Sequence, residues 1–268
     1  MSKINVVTSF RGDHWNIYAK ECIDSFVKNW PEDIKLYAYY NDWPEVGLQN
    51  YDKKRVKFID LTDNDNGLCK FLETHKDNPN KSNWRTDASR WAYKVYTEYD
   101  FFVKNPPKGD IGIWLDADTV TYNKITHKEL SEWLPEGQDI CILDRTATNY
   151  AEAGFFMLKM SDLNQAVIAD LYGTWNTGEV FNYKEWHDAF VLTRLLKLHQ
   201  AHGMKIYNLS PYCADLNAFE CSPLVRYLYH NKGMLKFKQN EQEAANIKTD
   251  VQHQPKNSNK KPIIVQPQ

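Results

Sequence analysis

The stretch Gly109–Tyr122, GDIGIWLDADTVTY, constrains the fold of this 268-residue chain more than any other. Ile111, Gly112, Ile113, Trp114 and Leu115 are apolar or small and include β-branched types, which suits a central strand buried on both faces. Asp116 and Asp118 follow at once. On a strand leaving a sheet, residues two apart point the same way, and in open α/β sheets ligands gather at the carboxyl ends of the strands. Two carboxylates so placed suit a hard divalent cation, Mg²⁺ or Mn²⁺, which keeps few protein ligands and completes its shell with water and phosphate oxygens. The plainer reading is a strand ending in a solvated acidic turn. The apolar strand before the pair and two further matches elsewhere in the chain favour the cation.

The flanking segments read as alternating strands and helices. Asn5–Phe10 is a short apolar strand, and Arg11-Gly12-Asp13 turns into a helix beginning near His14, with Trp15, Tyr18, Ala19, Cys22, Phe26 and Val27 at helical spacing and Pro31 past its end. Ile34–Tyr40 and Val56–Leu61 read as two further strands, the opening of a Rossmann-like nucleotide-binding half. The absence of a glycine-rich phosphate loop argues against a dinucleotide cofactor. Ser82 is placed to cap a helix reaching about Tyr99, with Trp84, Ala88, Trp91 and Val95 on its apolar face and Asp87, Arg90 and Lys94 on the adjoining one. That adjoining face either looks into a cleft or carries a surface ion pair of little worth.

Beyond the two aspartates, Thr126 and Glu129 form a capping-box pattern for a helix through Trp133, and Asp139–Leu143 returns as a strand. Ala151–Gly154 reads as a small turn before an apolar strand, its glycine allowing a ligand close to the backbone. Ser161 or Asp162 starts a helix to about Tyr172. Glu185-Trp186-His187-Asp188 opens a longer one, with Leu192, Leu195, Leu196 and His199 on its inner side. Lys205–Leu209 and Tyr227–His230 are the last strands. The expected organisation is one domain over residues 1–238, a donor half to about 122 and an acceptor half from 123, followed by a polar tail over 239–268.

Composition narrows the function. Thirty-three basic residues against 35 acidic ones argue against a general polyanion binder. Nine tryptophans and 16 tyrosines suit stacking on sugars or bases, and serve equally well as core. No signal-like run follows Met1 and no segment is long enough to span a bilayer, so a soluble, cytoplasmic protein without integral membrane association is expected. Cys22, Cys69, Cys141, Cys213 and Cys221 lack metal-ligand spacing and read as reduced thiols.

Three motifs in order resemble known glycosyltransferases. Asp87-x-x-Arg90 followed by GDIGIWLDADTV is similar to the donor-binding core of GT-A-fold enzymes, especially the mannosyltransferase-like and glucosylating-toxin families. His230-x-x-Gly233-x-x-Lys236 resembles the C-terminal loop of the glycogenin and galactosyltransferase-like family. Glu185-Trp186-His187-Asp188 is similar to a stretch of the blood-group transferases, which carry Glu where this chain has Ala189.

The resemblance implies a GT-A, Rossmann-like α/β fold with a mixed, mainly parallel sheet flanked by helices. It implies Mn²⁺ or Mg²⁺ on Asp116, Asp118 and His230, and a nucleoside diphosphate sugar donor, a UDP-sugar favoured over GDP, held by Thr8, Phe10, Arg11, Asp87, Arg90, Ala117, Gly233 and Lys236. Asp188, Glu152 and His187 would line the reaction site. Retention at the anomeric carbon is expected, by same-face attack of the acceptor hydroxyl, with double displacement through Asp188 or Glu152 as the alternative. A sugar nucleotidyltransferase and a non-catalytic nucleotide-sugar-binding protein remain as other classes. The acceptor is open among a glycan, a protein and a hydroxymethylated base in phage-type DNA; seven lysines against three acids from Lys232 onward keep the last in view.

Overall fold

The computed structural model describes residues 2–42, 50–63, 67–78, 83–145, 150–211, 213 and 217–231. Met1–Asn231 make up one compact unit; the second, Lys232–Gln268, lies outside the described residues, and with it the expected tail and the donor contacts Gly233 and Lys236. Ser82, expected as a helix cap, is also outside them.

The strands are β1 (Ile4–Arg11), β2 (Lys35–Asn41), β3 (Val56–Asp60), β4 (Ile111–Leu115), β5 (Thr119–Thr121), β6 (Ile140–Leu143), β7 (Glu152–Lys159), β8 (Ile206–Asn208) and β9 (Leu228–His230). The α-helices are α1 (Lys20–Asn29), α2 (Leu68–Thr74), α3 (Ala88–Tyr99), α4 (His127–Trp133), α5 (Asp162–Asn176) and α6 (Asp188–Ala201). Seven strands form one sheet in the order β3-β2-β1-β4-β7-β6-β8, and β5 and β9 form a separate ribbon. β1 runs parallel to β2 and β4, β2 to β3 and β6 to β8, while β7 is antiparallel to both β4 and β6. The class is α/β with a mixed, mainly parallel sheet, as the sequence implies.

Strand side chains alternate between two cores, one on each face. Val6, Phe10, Ile113, Leu115, Phe155 and Met157 pack against Cys22, Ile23 and Phe26 of α1 and Leu130 and Trp133 of α4. Val7, Trp114, Phe156 and Leu158 pack against α3, α5 and α6 through Ala92, Val95, Ile168, Leu171 and Leu192. With both faces covered, the sheet interior is dry, and each fully buried aliphatic or phenyl side chain contributes about 1.5–3 kcal/mol. Gly112 belongs to this packing: a Cβ there would run into the Phe102 ring.

Several local expectations are corrected. A 3₁₀ turn (Gly12–His14) and a π turn (Trp15–Ala19) precede α1, so the regular helix starts at Lys20. The extra turn carries Trp15 inward, 8 % exposed, against Phe10. Trp84 is not on the buried face of α3; it lies in a preceding 3₁₀ turn, 42 % exposed, because Asp87 caps the helix by accepting from the Arg90 amide. The Ala151–Gly154 stretch is not a turn: β7 begins at Glu152. The capping box at Thr126 and Glu129 forms as expected. Ser161 caps α5, which runs on to Asn176 rather than ending near Tyr172.

Candidate functional site

The site is built where β4 leaves the sheet. The Asp116 amide donates to the Gly154 carbonyl at 2.9 Å, extending the β4–β7 ladder by one residue. The chain then turns, with the Thr119 amide returning to the Asp116 carbonyl at 3.0 Å, and enters β5. β5 pairs with β9 so that Thr119 lies opposite His230, and the Asn231 amide donates to the Asp118 carbonyl at 2.9 Å. Asp116-Ala117-Asp118 therefore does not continue the strand, as the sequence suggested; a turn and a ribbon, rather than the pleat, bring the groups together.

One ligand atom from each of Asp116, Asp118 and His230 lies within 4.8 Å of the others, a cluster able to hold a metal ion. His230 Nε2 is 3.0 Å from Asp118 Oδ1 and 3.7 Å from Asp116 Oδ2. The donor set fits a hard divalent cation: two partly buried carboxylates and an imidazole at the edge of a dry core. Burial and the neighbouring Asp118 charge raise the Asp116 carboxyl above its ordinary range, against the downward pull of Lys94 and His230. Such crowding of like charges is what a cation relieves. Burial works against the His230 imidazolium, yet Asp118, Glu152 and Asp116 outweigh it and raise its pKa.

Gly154 floors the cluster. A Cβ there would sit 2.8 Å from His230 Cε1, 3.2 Å from Asp116 Oδ2 and 3.3 Å from Glu152 Oε1, so side chains close over bare backbone. Glu152 is thereby beside the triad, with its other oxygen 3.3 Å from an Arg145 guanidinium nitrogen.

Beneath the triad lies Lys94, 8 % exposed. Its Nζ donates to Asp116 Oδ1 at 2.8 Å and to the Ala153 carbonyl at 2.6 Å, and is 2.9 Å from Asp188 Oδ2. The same Asp116 oxygen accepts from Trp114 Nε1 at 2.7 Å, and the ammonium lies over the Trp114 ring. Burial lowers the Lys94 pKa, but Asp116 and Asp188 more than reverse it. Asp188, 3 % exposed at the first position of α6, is held below the usual carboxylate range against its burial by Lys94 and His187.

His187 caps α6. Its Nδ1 accepts from the Phe190 amide at 3.3 Å, which leaves Nε2 to donate to Glu185 at 2.9 Å and fixes the tautomer. Trp84, Trp91 and Tyr150 surround the ring, and Arg85 stacks on exposed Trp84 at 4.7 Å.

The remaining expected residues divide between core and surface. Thr8 is fully buried, its hydroxyl without a partner among the described residues, and Phe10 is 5 % exposed in the core. Arg11 is exposed and pairs with Asp13 at 2.9 Å. Ala117 packs into the same core as Ile113 and Leu115. Arg90 lies over Trp91 at the start of α3, one turn before Lys94, with Asp87 two turns before it.

Sequence reasoning missed Trp114 as a site residue and left Lys94 open between a cleft-facing and a surface position. It also missed Tyr18, whose hydroxyl meets His14 Nδ1 at 2.7 Å and whose pKa is raised by burial and by the charges of Asp118 and Asp116. The only signal for Lys94 was its helical spacing from Asp87 and Arg90.

No protein-family model matches the sequence, and no curated protein does. Among solved structures, the chain is similar to the apo form of mouse xyloside xylosyltransferase 1, with a TM-score of 0.48 and 14 % identity, over 77 % of this chain and 85 % of that one. It is also similar to the apo form of glycosyltransferase GlyE from Streptococcus pneumoniae TIGR4, with a TM-score of 0.48 and 11 % identity, over 77 % of this chain and 45 % of that one. The present chain thus matches less than half of the GlyE chain's length.

Proposed function

We propose that the chain is a metal-dependent, retaining glycosyltransferase that moves a sugar from a nucleoside diphosphate donor, a UDP-sugar, to a hydroxyl acceptor in the cytoplasm. The observation that carries this reading is the convergence of Asp116, Asp118 and His230 at the carboxyl end of β4, next to the parallel pair β1–β4. Ligand sites of open α/β sheets lie at such ends. Asp116, Asp118 and His230 would hold Mn²⁺ or Mg²⁺, and the ion, when bound, offsets the charge that grows on the departing diphosphate.

The chain's own residues do the rest. Gly154 leaves the room in which His230, Asp116 and Glu152 close together over its bare backbone. Glu152, fixed by Arg145, presents a carboxylate beside it to orient the sugar. Arg11, at the end of β1, and Asp87 and Arg90, at the start of α3, would supply polar contacts to the donor. His187, its ring oriented by the Phe190 amide and Glu185, packs under a lip formed by Trp84 and Arg85, a surface suited to stacking on a ring of the acceptor. Ala189, where a glutamate would have supplied a nucleophile, favours same-face attack by the acceptor hydroxyl.

The test is release of UDP or GDP from a panel of nucleoside diphosphate sugars with Mn²⁺, in the presence of candidate glycan, protein and modified-base acceptors. Release of one nucleotide that stops with EDTA and with Asp118→Ala supports the reading, and the anomeric configuration of the product then tests retention. No release from any donor refutes it.

A further inference from the structure

We propose that Lys94 and Asp188 form a buried ionic strut that sets the orientation of Asp116 in the triad, so that both are positioning residues and neither meets the sugar. The proposal rests on the donor-site reading above. An ammonium has three N–H groups, and all three are engaged: Asp116 Oδ1 at 2.8 Å, Ala153 carbonyl at 2.6 Å and Asp188 Oδ2 at 2.9 Å. None is left for a substrate. The strut ties α3, through Lys94, to the end of β4, through Asp116, to β7, through Ala153, and to the first residue of α6, Asp188.

The geometry divides the two oxygens of Asp116. Oδ1 is clamped by two donors, Lys94 and Trp114 Nε1, while Oδ2 faces His230 at 3.7 Å and Gly154. A carboxylate pinned by one oxygen can present the other in only one direction, which is the property a metal ligand needs. A purely structural role explains the arrangement poorly. Buried ion pairs add little net stability over apolar packing of the same volume, yet here one of the two carboxylates on the Lys94 ammonium, Asp116, also belongs to the triad. Glu98, one turn along α3 and 1 % exposed, has no hydrogen-bond partner for either carboxylate oxygen among the described residues, and burial pushes its pKa well up.

Asp188 was expected at the reacting sugar. Its 3 % exposure and its contact with Lys94 place it behind Asp116 instead.

The experiment measures Mn²⁺ affinity without nucleotide, by titration calorimetry, and UDP and GDP affinity with and without Mn²⁺, for the wild type, Lys94→Met, Asp188→Asn, the double variant and the surface control Lys128→Met. Outer partners of metal ligands typically carry about 10–100-fold in metal affinity. Lys94→Met should therefore weaken Mn²⁺ binding by about tenfold or more, with Asp188→Asn weaker in the same direction and the double variant no worse than Lys94→Met alone. Metal-free nucleotide affinity should not change. Asp188→Asn is isosteric and serves if Lys94→Met fails to fold, as judged by near-ultraviolet circular dichroism. Wild-type Mn²⁺ affinity in a folded Asp188→Asn protein would overturn the proposal, above all if sugar transfer were lost at the same time, since Asp188 would then act on the substrate. A wild type whose nucleotide binding ignores Mn²⁺ would remove the donor-site reading, and the strut's role with it.

Discussion

Gly154→Ala places a single methyl group against the heart of the candidate site, and the structure fixes what that methyl meets. Its carbon would lie 2.8 Å from His230 Cε1, and the optimum for two carbons is about 3.5–4.0 Å, so the ring must move by roughly 0.7 Å or more. His230 is 5 % exposed with its ring against Phe219 at 4.6 Å, which leaves it little room to swing aside. Overpacking of this kind costs about 1–3 kcal/mol, and the smaller unfolded-state entropy of alanine returns about 0.4–1, for a net loss of about 1–2 kcal/mol. The functional effect should be larger than the stability effect suggests. Metal–ligand distances tolerate about 0.2 Å, well under the displacement forced on the imidazole, so one of three ligands is lost and metal-dependent nucleotide affinity falls by at least about tenfold. Urea unfolding and calorimetric titration of UDP and GDP with Mn²⁺ read the two effects separately. Gly173→Ala is the matched control: a Cβ on α5 meets nothing within 4 Å, so about 0.5–1 kcal/mol of stabilisation with unchanged binding is expected. A Gly154→Ala protein as stable as the wild type and equally responsive to Mn²⁺ would refute the packing argument and the role given to His230.

Three other perturbations follow from contacts away from the triad. Thr126→Ala removes the capping box of α4 and should cost about 1 kcal/mol without altering nucleotide binding, as thermal melts and the same titration would show. The Glu129 carboxyl in that box is held below its usual value by the Thr126 hydroxyl bond, against a small burial effect. Its contribution is therefore complete above the ordinary carboxylate pKa and lost as pH falls through the lowered one; the stability gap between wild type and Glu129→Gln should close on acidification, and a gap that widens would contradict the assignment. Arg55 donates to the carbonyls of Pro31 and Ile34, both at 2.5 Å, and lies over Phe26 at 5.3 Å. Lysine cannot reproduce that fork, so Arg55→Lys should lower stability by about 1–2 kcal/mol in urea, and an unchanged midpoint would show the fork to be idle.

The parts of the fold that were legible in the sequence are those where one local signal dominates. Ile111–Leu115 has no polar residue to compete with burial, and the buried face of α1 repeats at helical spacing through Cys22, Phe26 and their neighbours. The grouping of Asp116, Asp118 and His230 came from the resemblance of three motifs in order, each weak alone, and the pleat argument misjudged how the three residues converge. Ala151–Gly154 misled because small residues usually mark turns. Here they serve a strand whose surface must stay low under His230, a constraint set by a residue 76 positions away from Gly154 that no local pattern reports. For Lys94 the helical spacing left two positions open, a cleft or the surface. A lysine beside an apolar helical stripe normally faces water, and only the arrival of Asp116 and Asp188 from other elements turns its position into a charged core site. Trp84 failed as a helix residue because Asp87, taken for a donor contact, starts the helix four residues later.

The central claim is that Asp116, Asp118 and His230 bind a cation that in turn binds a nucleoside diphosphate. Calorimetric titration of UDP and of GDP into the wild type with Mn²⁺, with EDTA, and into Asp118→Ala with Mn²⁺ tests it most directly. The account predicts tight binding of UDP that is lost both on chelation and in Asp118→Ala. Nucleotide binding that persists unchanged in EDTA, or that is absent under every condition, would contradict it.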